Sequence, residues 1–260
     1  MRCSSPNCSQ HFVIDSFIDV LCVTESLHGH IGHKNVSELC LSLRKKFVRA
    51  IYADHNTNKA VTVRLSELLQ SYPLDALMLN IGAGETKMDF RMKTLEIEQA
   101  PGIDIVGSAT DLPIASDSLD FIVTQEVLEH VDDPFQAARE IHRVLKPGGK
   151  VFVQLPFIIG YHPCPVDYWR FTEQGIQQLA RQAGFLNIET GRSVGPATGA
   201  YRILVEFFAI LLSLPFPKAY RLAKGGSALI LYPLKWFDFI MNFHPEANRI
   251  SGGHFVVLTK

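Results

Sequence analysis

The chain lacks most of the features that would place it outside ordinary globular enzymes. No run of 18 or more uncharged apolar residues occurs, so a membrane-spanning helix is not expected. Charge of either sign is not in excess: the net charge is −1, which supplies no global field to recruit nucleic acid or an anionic membrane. Cysteine is sparse. Cys3, Cys8, Cys22, Cys40 and Cys164 form no even, regular framework, which points to reduced thiols and a cytoplasmic setting. The first residues lack the basic-then-apolar layout of a secretory leader. Repeats and low-complexity segments are missing as well. What remains is a 260-residue chain, 47% hydrophobic and 20% charged, long enough for one large domain with appendages.

Against that background the stretch Leu77-Met78-Leu79-Asn80-Ile81-Gly82-Ala83-Gly84 stands out. An apolar run suited to a buried strand breaks into Gly-x-Gly. Gly82 permits a sharp turn, and Gly84 removes the side chain that would keep a ligand off the backbone. A second strand-like run, Thr94-Leu95-Glu96-Ile97, ends in a carboxylate. Glycine bend plus carboxylate is the equipment for a nucleoside, with backbone for the cofactor chain and Glu96 for the ribose hydroxyls.

From 75 to about 194 strand-like and helix-like segments alternate. Strands are expected at 77–81, 94–97, 103–107, 120–124, 151–155 and 186–190, with a last one at 254–259. Asp133-Pro134-Phe135-Gln136 combines an acidic N-cap, a first-turn proline and a capping-box glutamine, and Lys146-Pro147-Gly148-Gly149 closes that helix. Residues 173–183 read as a further helix closed by Gly184. The pattern predicts an α/β fold: a doubly wound, Rossmann-like seven-stranded sheet with a helical insertion before the last strand. The organisation expected is a helical extension over 1–70, a core over 71–195, an apolar helical insertion over 196–252, and the last core strand over 253–260. Within 1–70, helices are expected around 36–51 and 62–71. Cys3 and Cys8 look like the remains of a zinc ribbon, but one loose pair does not make a tetrahedral site, so no metal is expected.

Further motifs follow in order: Leu112-Pro113, Asp117-Ser118-Leu119-Asp120-Phe121-Ile122-Val123, Glu126-Val127-Leu128-Glu129-His130-Val131 and Glu140-Ile141-His142-Arg143-Val144-Leu145-Lys146-Pro147-Gly148-Gly149. Together with the glycine bend and Glu96, the set resembles the class I S-adenosylmethionine-dependent methyltransferases of the type 11 group, over about 75–160. The resemblance implies S-adenosyl-L-methionine as cofactor. It implies that Asn80, Gly82, Ala83 and Gly84 line the methionine part and ribose, that Glu96 and Ile97 close on the ribose, that Ser108, Ala109 and Thr110 lie beside the adenine, and that Gln125 and Glu126 face the cleft. The family often has an acid where Asn80 stands, another where Ser108 stands, and a third glycine where Thr86 stands.

The run Tyr161-His162-Pro163-Cys164-Pro165-Val166-Asp167-Tyr168-Trp169-Arg170-Phe171-Thr172 leaves the carboxyl edge of the sheet, where substrate should approach. A similar run is familiar in a bacterial subgroup of these methyltransferases. Tyr161, His162, Asp167, Tyr168 and Arg170 are the candidate acceptor contacts. Equally, Asp167 and Arg170 can simply pair, and Trp169 and Phe171 suit a structural cover. His130 and His162 are the candidate catalytic bases, since imidazole titrates near pH 6.5, although His130 also suits holding its loop. Cys164 has no evident base partner and reads as inert.

The expected activity is methyl transfer to an oxygen or nitrogen of a small-molecule or glycan-type acceptor, with no nucleic-acid partner. The alternative is a non-catalytic cofactor-binding or scaffold protein of the same fold. A nicotinamide dehydrogenase fits less well, because its fingerprint needs glycine where Lys87 stands. Between 201 and 243 two apolar helices carry narrow polar stripes, and Lys218, Arg221 and Lys224 recur between them. That segment suits a lid, a dimer face or peripheral membrane contact.

Overall fold

The computed structural model describes residues 58–84 and 88–260. The expected helix at 36–51 and the Cys3–Cys8 pair lie outside the described residues. The described chain runs α1 (Lys59–Gln70), β1 (Met78–Ile81), β2 (Met92–Glu96), β3 (Ile105–Val106), β4 (Leu119–Gln125), α2 (Pro134–Val144), β5 (Leu145–Pro156), α3 (Glu173–Ala183), β6 (Asn187–Val194), α4 (Pro196–Ser213), α5 (Tyr220–Leu231), α6 (Asp238–Met241) and β7 (Gly253–Thr259). Seven strands form one sheet in the order β3-β2-β1-β4-β5-β7-β6. β1 to β5 are parallel, and β7 runs antiparallel between β5 and β6. This is the α/β, Rossmann-like seven-stranded sheet that the alternation predicts.

Period-two alternation assigns each strand residue to a layer. Leu79, Ile81, Ile122, Val151 and Val153 pack with Ala138, Ile141, Ile176 and Leu179 of α2 and α3. Met78, Phe121, Val123 and Phe152 pack on the other face with Val61 and Leu68 of α1. A one-residue slip would exchange these two sets, so the register is strongly specified. Phe121 and Phe152 are fully buried; removing either ring would cost about 3–5 kcal/mol.

Local signals set most boundaries. Asp133 caps α2 by accepting from Gln136 N–H, with Pro134 in the first turn. Thr172 caps α3, and Gly184, at φ 102°, terminates it. Three elements depart from expectation. β3 has only two residues, because Pro101-Gly102 turns the chain just before it. β5 begins at Leu145, directly at the end of α2, since Leu145 pairs with Leu119 across an irregularity in the ladder. The second apolar helix, expected over 227–243, starts at Tyr220 and breaks into a 3-10 turn over Tyr232–Phe237, where Pro233 lacks an N–H to continue the helix.

α4 is the one described helix long and apolar enough to cross a membrane by length and composition, and 44% of it is buried. Its packing is inverted. Tyr201, Val205, Ala209 and Ser213 face inward, while Phe207, Ile210, Leu211 and Leu214 are exposed. Glu206 turns toward α5, where it pairs with Lys224 and accepts from the Tyr220 hydroxyl. Asp238 of α6 caps α4, accepting from Ala197 N–H at 2.7 Å and Thr198 N–H at 3.2 Å. Gly195 makes room for it: a Cβ there would lie 2.2 Å from the Asp238 carboxyl carbon.

Candidate active site

The strand order reverses between β1 and β4, and open α/β sheets bind ligands beyond the carboxyl ends of the strands at such a point. The chain leaves β1 there through Gly82 (φ 69°) and Gly84 (φ 54°), a left-handed backbone that glycine adopts without strain. The two glycines do different things. A Cβ on Gly82 would sit 2.2 Å from Val127 Cγ2, so this bend is packed against the loop after β4. Among the described residues a Cβ on Gly84 would meet nothing within 4 Å, so none of them covers the second glycine.

Glu96 ends β2, the neighbour of β1, and its Oε1 accepts from Gly84 N–H at 2.5 Å. Bend and carboxylate are therefore one assembly. Two buried polar atoms near the ends of β1 and β4, Asn80 Nδ2 and Thr124 Oγ1, have no hydrogen-bond partner among the described residues. Ile81 and Thr124 are register partners, so the two residues stand at the same carboxyl edge, with their side chains on opposite faces of the sheet. A nucleoside cofactor fits this donor and acceptor set.

The remaining predicted cofactor residues fall around that edge. Ala83 is buried and Ile97 is largely exposed. Ser108 and Thr110 share a hydroxyl–hydroxyl hydrogen bond of 2.8 Å, and Thr110 N–H donates to Ser108 Oγ, so this turn is self-bonded around the buried Ala109. Gln125 is buried, and its amide donates to Gln154 Oε1 of β5 at 2.8 Å. Glu126 sits at φ 56° and accepts from Gln154 Nε2 at 3.2 Å. Gln154 thus organises both; no periodicity signal distinguishes it from its neighbours in β5.

The predicted acceptor residues divide. Tyr161 and Tyr168 are exposed. Asp167 and Arg170 form a two-pronged ion pair at 2.5 and 2.6 Å, and Asp167 also accepts from His162 N–H at 2.9 Å. Burial works to raise the Asp167 pKa, but the Arg170 and His162 contacts outweigh it and hold the carboxyl at about 2. Trp169 donates its ring N–H to Val131 O and stacks on Phe171.

His130 and His162 come together. Their rings meet edge-on at 5.3 Å, and both Nε2 atoms point toward Glu129, at 3.6 and 3.9 Å from its Oε1. These distances are electrostatic contacts rather than formed hydrogen bonds. Glu129 is fully buried, and neither of its oxygens has a hydrogen-bond partner among the described residues. Burial pushes its pKa up, with the His162 contact opposing. The His162 pKa is raised: burial works against it, but Glu129 and Asp167 prevail. Sequence reasoning named the two histidines and missed Glu129, which lies between them in a Leu-Glu-His turn without any marker of its burial.

Comparison with known proteins meets the same residues: a model described as a methyltransferase domain matches residues 71–153. Over that stretch the chain is similar to methyltransferase domains of the type 11 group. The matched stretch begins ahead of β1 and ends within β5, so the glycine bend, Glu96, Glu129 and His130 all lie inside it, while His162 and Asp167 lie beyond it. Among curated relatives, a demethylmenaquinone methyltransferase of Oceanobacillus iheyensis is 33% identical over 97 residues, which are 36% of this chain and 37% of that one. A 37.1 kDa protein in a transposon of Streptomyces fradiae is 40% identical over 118 residues, 40% of this chain and 34% of that one. The chain spans about a third of the length of these relatives. A Burkholderia thailandensis 1,6-didemethyltoxoflavin N1-methyltransferase of known structure is 16% identical, with a TM-score of 0.49, over 89% of this chain and 93% of that one.

Proposed function

We propose that the chain moves a methyl group from S-adenosylmethionine to an oxygen or nitrogen of a small-molecule or glycan-type acceptor. The observation that carries this reading is the Gly84 N–H···Glu96 bond at the carboxyl edge of the sheet, within the stretch similar to methyltransferase domains. It sets the carboxylate beside the bend, where two acceptor oxygens meet a vicinal diol. Asn80 and the turn Ser108-Ala109-Thr110 complete the proposed cradle, with Gln125 and Glu126 held by Gln154.

When bound, the sulfonium supplies an already activated methyl group. The protein then has to align the acceptor and exclude water, and positioning of that kind can supply on the order of 7–11 kcal/mol. The loop from Tyr161 to Arg170 is the proposed acceptor wall, braced by the Asp167–Arg170 pair. An acceptor hydroxyl must also lose a proton, and the convergence of His130 and His162 on one buried carboxylate supports a deprotonating role for that cluster. Alanine at each histidine in turn should slow turnover, and unchanged turnover in both would retire that role. Calorimetry with S-adenosylmethionine and S-adenosylhomocysteine tests the whole reading: micromolar binding of both is expected, and absence of binding would leave a scaffold.

The helices between β6 and β7 support a second element of the proposal, peripheral contact with a lipid surface. Leu222, Phe239 and Phe243 are more than 80% exposed, and Phe216, Ile230 and Trp236 at least 70%. Lys218 and Arg221 are exposed, as headgroup contacts require, and Lys224 pairs with Glu206. Apolar patches of this kind mark interaction sites.

A further inference from the structure

We infer that Glu129, His130 and His162 form a binding site for one divalent transition-metal ion. One carboxylate oxygen and one nitrogen from each ring lie within 4.8 Å of one another. Donors around a tetrahedral zinc ion stand about 3.3 Å apart, given bonds of about 2.0–2.1 Å. A modest inward rotation of the two rings closes that difference.

Three observations separate this cluster from a chance meeting of polar groups. The Glu129 carboxylate is sealed from solvent, and neither oxygen has a hydrogen-bond partner among the described residues, a costly state for a charged group unless something cationic answers it. His130 is anchored through its other nitrogen: Nδ1 lies 2.5 Å from Val166 O, and an N–H donated there leaves Nε2 with a lone pair, the orientation of metal-ligating histidines. His162 Nδ1 lies 3.2 Å from Gly160 O and 3.1 Å from Arg170 Nη2. Donation to the carbonyl frees Nε2 for a metal, whereas acceptance from the guanidinium puts the proton on Nε2. The site also has an entrance: the His162 side chain is 32% exposed, while His130 and Glu129 close the inner side.

Two imidazoles and one carboxylate leave a coordination position open on the His162 side, and borderline nitrogen and oxygen donors suit zinc, cobalt, manganese or iron(II). An ion there stands against the loop proposed to hold the acceptor and would polarise an acceptor hydroxyl. That role rests on the proposed function; the binding does not. In the opposite tautomer His162 points an N–H at Glu129, the cluster stores a proton, and no ion enters.

The test uses the full chain, stripped with chelator and free of cofactor, titrated with zinc against a chromophoric competitor. One zinc per chain is expected. Glu129→Gln and His162→Gln should each weaken it by about 100-fold or more, while the Cys3→Ser/Cys8→Ser variant should bind as the unaltered chain does. Cobalt loading of the unaltered chain provides a readout that needs no variant to fold: visible d–d absorption without a thiolate charge-transfer band. No stoichiometric zinc on a chain that melts cooperatively would overturn the site. So would affinity indifferent to both glutamine variants, or a cobalt spectrum with thiolate character lost in the double serine variant. Because no cofactor is present, a chain that binds zinc but not S-adenosylmethionine would sink the proposed function alone.

Discussion

The sheet and the helices between β6 and β7 place their large apolar side chains in opposite ways. Phe121, Ile122 and Val123 in β4 have no exposed surface at all, whereas Leu222, Phe239 and Phe243 in the helical segment keep more than four-fifths of theirs. α2 and α3 turn aliphatic residues inward on the sheet. α4 turns Tyr201, Val205, Ala209 and Ser213 inward and Ile203, Phe207, Ile210, Leu211 and Leu212 outward. Burial therefore holds the sheet to one register, while the helical segment is held by a narrow buried face around Tyr201 and Val205 and a few polar bonds and keeps most of its large apolar surface outward.

The strongest way to break this contrast is to remove the outward face. Replacing Leu222, Phe239 and Phe243 together by serine should reduce partition onto anionic vesicles by about 1,000-fold, from roughly 1.5 kcal/mol per side chain. Melting should be unchanged, since none of the three is buried in the fold. Co-sedimentation and calorimetric melting read the two effects separately. A melting point that falls with binding unchanged would make these residues structural after all.

The cleft is tested next. Glu96→Ala should lower S-adenosylmethionine affinity about 100-fold, the loss of two charge-assisted hydrogen bonds. Isothermal titration measures it, with melting of the cofactor-free chain as control. Equal affinity in the variant would detach the carboxylate from the sugar and remove the main support for the proposed pocket.

How far each region is legible in the sequence follows the same division. In the sheet, apolar runs bounded by glycine, the Asp133-Pro134 cap and the Gly184 stop locate the strands and helices because each signal is local. The Gly82–Gly84 bend is legible too, and the Glu96 bond confirms that bend and carboxylate are neighbours. The inversion of α4 is not legible, because a 3.6-residue period identifies a polar stripe without saying which side faces the core. Glu129 escapes for another reason. Its burial and its approach to His162 depend on how the loop after β5 folds back, with Tyr168 and Trp169 N–H groups both donating to the Glu129 carbonyl. Nothing within a few residues of Glu129 encodes that.

The fold of that loop can be probed through pH. The Asp167 carboxyl is held at about 2 against an ordinary 3.8, so the native state is favoured while the group is ionised. This contribution is complete above pH 3.8 and is lost as pH falls through about 2. The side chain is 1% exposed, so screening removes little of it. Asp167→Asn should cost on the order of 1–2 kcal/mol at pH 7 and flatten the stability curve between pH 4 and pH 2. Urea unfolding across that range is the measurement; parallel curves for the two chains would show that the Arg170 pair does not brace the loop.

The smallest effect probes the helical segment from inside. Asp238 receives two backbone N–H groups and the Thr198 hydroxyl at the start of α4, so it acts as an N-cap supplied from a distant point in the chain. Gly195 supplies no side chain to take its place. Asp238→Ala should therefore cost about 1 kcal/mol, the usual worth of a cap. Asp238→Asn should restore about half, keeping the acceptor but losing the charge that favours a helix start. Because α4 packs mainly on α5, α6 and the 3-10 turns beside them, the loss should appear as faster amide exchange in α4 with exchange in β4 and β5 unchanged. Uniform acceleration across the sheet would instead mean that the helical segment and the sheet unfold as one unit, and the division between a register-locked sheet and a polar-bonded helical segment would no longer hold.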